Sequence, residues 1–141
     1  MKHFVIVAFI FLLGGCPIPG ERPCRGGYGA DLMPKVSYKS PKSNNDFQHD
    51  YWVAIDIVNE FAEKHKFVLD EEDFGKYFEF IRSYTRDFEH LYIWYDKKTD
   101  LICISVGGCP TPSSKLKEIV PELHDKLVSE FGERIKWQEY K

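Results

Sequence analysis

Long apolar runs are scarce in this chain of 141 residues. The longest, residues 4–13 (FVIVAFIFLL), is half the roughly 20 residues a bilayer-spanning helix needs, which argues against an ordinary membrane span. No run of five like charges occurs, which excludes acidic or basic tails. A positive excess is missing as well: 19 Lys and Arg stand against 22 Asp and Glu, for a net charge of −3. Nucleic-acid binding needs a concentrated positive field that displaces counterions from phosphates, so no nucleic-acid partner is expected. What remains is 43% hydrophobic, 29% charged and 16% aromatic, a globular composition of a size for one domain.

Catalytic and metal-binding patterns are equally thin. The histidines are His3, His49, His65, His90 and His124, and no pair has the i, i+4 spacing of a helical metal site. His49-Asp50 reads as a solvated or capping pair, since nothing downstream supplies further ligands. Glu71, Glu72 and Asp73 are contiguous, whereas calcium loops space their oxygens at alternate positions around a turning glycine. No serine lies in a G-x-S-x-G elbow. These absences lead us to expect no metal, no cofactor and no enzyme.

The N-terminus carries an address. Lys2 and the terminal amine precede residues 4–13, whose length is that of a signal-peptide core. Leu13-Gly14-Gly15-Cys16 follows at once and resembles the lipobox of bacterial lipoproteins. The resemblance covers the leader alone. It implies that residues 1–15 are removed, that Cys16 receives a diacylglycerol thioether and that the new amine is acylated. Several acyl chains make such anchoring stable, because each buried methylene adds roughly 0.8 kcal/mol. Pro17 stands where the family's inner-membrane proteins carry Asp, which points to the outer membrane, facing the periplasm.

Residues 16–45 are rich in Gly, Pro and Ser and lack apolar periodicity, so they read as an extended tether. Beyond Cys16 the cysteines are Cys24, Cys103 and Cys109, an odd number in an exported and oxidising setting. Cys24 and Cys109 both lie in Gly/Pro-rich stretches, which favours their pairing; Cys24–Cys103 is the next choice, and no bridge the third.

Residues 46–141 form the expected domain. Phe47, Tyr51, Ile55, Val58 and Ala62 mark one helical stripe, and Leu116, Val120, Leu123, Leu127 and Phe131 a second, closed by Gly132 and interrupted by Pro121. Residues 67–69 read as a short strand and residues 78–84, less clearly, as another. The runs LYIWYD and LICISV, joined by a polar turn at residues 97–100, make a hairpin; Ile135 and Trp137 alternate in a final strand. The expected order is α-β-β-β-β-α-β. It describes an α+β two-layer sandwich with two helices on one face of a four- to five-stranded, mostly antiparallel sheet.

On the hairpin, Leu91, Ile93 and Tyr95 share a face with Ile102, Ile104 and Val106, leaving Tyr92, Trp94, Leu101 and Cys103 opposite. Aromatics on a free sheet face suit a partner surface, so Tyr92, Trp94 and Leu101 are the candidate partner-binding residues. The expected function is a lipid-anchored envelope protein binding a protein partner, as an assembly accessory, inhibitor or immunity factor. Two alternatives stand beside it. One is a thiol or phosphate-ester enzyme centred on Cys109. Its spacing to Lys115 is similar to the phosphate loop of cysteine-based phosphatases, a family that needs Arg followed by Ser or Thr where this chain has Lys115 and Leu116. The other is capture of a small ligand or glycan on the aromatic face.

Overall fold

The computed structural model describes residues 26–35, 44–73 and 79–140. The expected leader and lipobox, Cys24 and the side chain of Phe47 lie outside the described set. Helix α1 (Asn44–Lys64) is the first long element. It buries Tyr51, Ala54, Ile55, Val58, Phe61 and Ala62, the stripe that three- and four-residue spacing sets on one side of a helix. Its end is a Schellman motif built on a non-glycine residue. Lys66 takes φ 61°, Phe67 N–H donates to the Ala62 carbonyl at 2.8 Å and Lys66 N–H to Glu63 at 3.3 Å. The Phe67 ring meets Phe61 at 6.2 Å, the apolar contact that accompanies this cap.

Helix α2 (Ser114–Phe131) starts on Ser113, whose hydroxyl accepts from Leu116 N–H at 3.1 Å, and ends at Gly132, φ 59°. It continues through Pro121, which is exposed. Its buried residues are the five expected. The helices run antiparallel and are linked at their surfaces by Lys64–Glu122 (2.8 Å) and Lys126–Glu60 (3.4 Å). Such exposed pairs contribute little individually, and the shared apolar faces do most of the holding.

The sheet has six strands, not four or five. They are β1 (Gly27–Leu32), β2 (Val68–Asp73), β3 (Glu79–Arg86), β4 (Glu89–Asp96), β5 (Leu101–Gly108) and β6 (Ile135–Tyr140), in the spatial order β2-β3-β4-β5-β1-β6 with every pairing antiparallel. Both helices pack on one face. The β4–β5 hairpin has the register its alternation implied, with Leu91 opposite Val106, Ile93 opposite Ile104 and Tyr95 opposite Ile102. All six join the helix-side core. The turn at residues 97–100 is held by the Asp96 carboxylate, which accepts from Lys98 N–H at 3.1 Å and from the Thr99 hydroxyl at 2.9 Å.

The sixth strand comes from the stretch expected to be tether. β1 sits inside the sheet between β5 and β6. Tyr28, Ala30 and Leu32 point toward the helices, while Gly27, Gly29 and Asp31 take the other face. The glycines answer close approaches. A Cβ on Gly29 would stand 2.7 Å from the Tyr140 ring, and one on Gly27 would stand 2.9 Å from the Val106 carbonyl oxygen. The composition that suggests a loose linker is here that of a strand covered by a neighbouring aromatic ring.

Candidate functional site

Three places in this fold bear on function: the sheet face away from the helices, the strand-to-helix junction after β5, and the outer edge of β2. The first carries the expected partner surface. Tyr92, Trp94, Leu101 and Cys103 do cluster there, apart from the main core. Yet Trp94 is 1% exposed and Cys103 0%, and Asp31, Ser83 and Ser105 on the same face are buried as well. Tyr92 and Leu101 are half-buried. Part of the cover is local. His90 stacks on Tyr92 at 4.9 Å and lies over Gly107, and Tyr140 lies over Gly29. Burial, with the charge of Asp31 nearby, pushes the Tyr140 hydroxyl above its ordinary value of 10.0. A binding anchor must reach solvent before it reaches a partner. Trp94 does not, which corrects its reading as an exposed anchor; sequence alternation fixes the face of a side chain but not its cover.

The junction is residues 108–113. Cys109 N–H donates to the Phe88 carbonyl at 2.9 Å, and the Cys109–Pro110 peptide is cis. Neither Cys103 nor Cys109 is a free thiol; both are disulfide-bonded. In that state Cys109 has no thiolate to attack with. The start of α2 is also occupied. Ser113 caps it and donates to Glu89 at 3.1 Å, and Glu89 in turn accepts from Arg86 Nε at 3.1 Å and Nη2 at 2.7 Å. A carboxylate thus stands where a phosphate would need to dock, and Lys115 points into solvent. The phosphatase-like spacing does not become a phosphate cradle in three dimensions.

The remaining titratable groups are structural. Asp50 is 3% exposed. It accepts from Arg134 at 2.8 and 3.2 Å and from Lys35 N–H at 2.9 Å, tying α1 to the end of β1 and to the 3-10 turn before β6. Burial works against its charge, but the hydrogen bonds from Arg134 and Lys35 outweigh that and hold its carboxyl below the ordinary 3.8. Neighbouring His49 is exposed, so the dipeptide splits between solvent and an internal ion pair. Glu122 is lowered by Lys64 and His65, which bind it at 2.8 and 2.9 Å. Among the described residues, no group of three or more His, Cys, Asp or Glu is placed to hold a metal.

The third place was not singled out in the sequence. β2 pairs with β3 alone, so its outer backbone edge is open among the described strands. Val68 is 67% exposed and Leu69 48%. They are followed by Asp70, Glu71, Glu72 and Asp73. Two adjacent exposed aliphatics heading an acidic run were the available signal. No protein-family model and no curated protein matches the chain.

Proposed function

We propose that this chain is a lipid-anchored protein of the cell envelope, held through acyl chains on Cys16 at the outer membrane and facing the periplasm, whose α+β domain binds a protein partner without catalysing a reaction. Assembly accessory, inhibitor and immunity factor all fit this reading. The lipobox at residues 13–16 supports the anchor. The open edge of β2 carries the binding half of the proposal. An edge strand offers unpaired N–H and C=O groups as a template for an added strand, and Val68 and Leu69 supply apolar contacts on its two faces. The acidic run selects the partner. A second copy pairing antiparallel here sets carboxylates against carboxylates, whereas an extended basic segment meets opposite charge.

The test is in-cell crosslinking of the full-length lipidated protein, followed by affinity purification and mass spectrometry, beside an Asp70→Lys/Glu72→Lys variant. The expected result is a partner with a basic extended segment, captured by the wild type and lost from a variant with unchanged melting temperature. Equal capture by both proteins removes β2 as the site.

A further inference from the structure

One end of the domain gathers the start of β1, the turn between β3 and β4, the loop after β5, the end of α1 and the start of α2. The registers require this, since Tyr28 lies opposite Val106, His90 opposite Gly107 and Glu89 opposite Gly108. Gly26 approaches Tyr140 and Pro112, and Gly108 approaches Pro112 and Glu89, so the end is continuous across the sheet. At its tip, Asp87 takes φ 52° and turns the chain so that Phe88 projects, 81% exposed. The turn is fixed in place: Arg86 and Glu89 pair across it, and the Phe88 carbonyl accepts from Cys109. An aromatic ring held outward by a rigid turn loses little entropy when a surface covers it. Lys66, Lys115 and Lys117 are exposed on the same end, with Asp87, Glu118 and Glu139 as the opposing charges.

We propose that this end faces the bilayer and that Phe88 inserts at the lipid interface. The inference rests on the lipid anchor proposed above. Because residues 27–32 are strand, only residues 17–25 separate Cys16 from the described chain. Nine residues span at most about 30 Å, and the chain they lead into begins at Gly26, on the Phe88 end. Two strand spacings, about 10 Å, separate β1 from β4, so Phe88 lies close beside the point where the tether joins. The acyl chains supply the affinity. Phe88 supplies orientation, its ring among the acyl chains' upper carbons and the lysines at the phosphate level. The open edge of β2 then starts at the membrane end with Val68, opposite Thr85, and runs away from the bilayer to Asp73.

The experiment places p-benzoylphenylalanine at Phe88 in the full-length lipidated protein, reconstituted in phosphatidylethanolamine/phosphatidylglycerol vesicles and irradiated. A second preparation carries it at Trp52, which is 51% exposed and twelve residues, about 18 Å of helix, before the end of α1. Vesicle flotation and the mass of the Cys16 peptide are read first. The expected result is phospholipid adducts at Phe88 in roughly tenfold excess over Trp52, the ratio that goes with burying about one phenyl ring. Protein that floats and carries lipid on Cys16 but gives no adduct at Phe88, or equal adducts at both positions, overturns the orientation alone. Protein without lipid on Cys16 overturns the anchor, and this inference with it.

Discussion

At Gly27 and Gly29 alternate strand positions meet different obstacles, and the two glycines are not interchangeable. Gly27 has φ 141°, a conformation unfavourable for L side chains, and its missing Cβ would meet the backbone oxygen of Val106. Gly29 would meet only the ring of Tyr140, the side chain of an edge strand, which can turn aside. Gly27→Ala is expected to cost about 2–3 kcal/mol and Gly29→Ala less than half of that, compared by urea denaturation of the two variants. The same residues explain why β1 is hidden in the sequence. A strand is recognised by alternating bulk, and here one face alternates with hydrogen atoms because another residue's ring fills the space.

Among the elements, the Asp50–Arg134 pair joins the start of α1 to the chain entering β6, two segments 84 residues apart. Asp50 is nearly inaccessible, so removing its cation leaves a buried charge. Arg134→Ala is expected to destabilise the domain by about 2–4 kcal/mol at pH 7. The folded-state pKa of Asp50 lies below 3.8, so the stability it contributes is present above that value and is lost as pH falls toward the lowered folded value. The gap between wild type and Arg134→Ala should therefore narrow as pH falls below 3.8, measured as the difference in melting temperature across a pH series. A gap constant down to pH 2 means that Arg134 acts by packing on Phe131, which its guanidinium covers at 5.3 Å.

For the whole molecule, the cysteines link chemistry at the N-terminus to the folded sheet. Cys103 sits near the start of β5 and Cys109 just past its end, six residues apart along extended chain. That is about 20 Å, against the roughly 7 Å limit between bridged Cα atoms, so the two do not pair with each other. Under the proposed lipidation the Cys16 sulfur becomes a thioether, leaving Cys24, Cys103 and Cys109, an odd number. On that proposal the mature chain is expected to hold at most one internal disulfide, counted by alkylation before and after reduction under denaturing conditions. Four alkylated cysteines after reduction, with none before it, would show Cys16 in a bridge and end the lipoprotein proposal. No helix among the described residues is long and apolar enough to cross a membrane.

Periodicity was enough to give the two helical stripes, the register and sidedness of the β4–β5 hairpin, and the α+β class. Each of these depends on periodicity within a segment, and burying a continuous stripe leaves the chain one way to present it. The strand read less clearly at residues 78–84 corresponds to β3 (Glu79–Arg86), where β4 and β2 stand on either side to satisfy its backbone. The rest depends on tertiary packing: the insertion of β1 between β5 and β6, the burial of Trp94, the carboxylate at the head of α2 and the β2 edge left open among the described strands. All four turn on what comes to lie beside a residue from far along the chain. Local alternation can say that two side chains share a face, but whether that face is wet is settled by segments whose spacing in sequence carries no record of their contact.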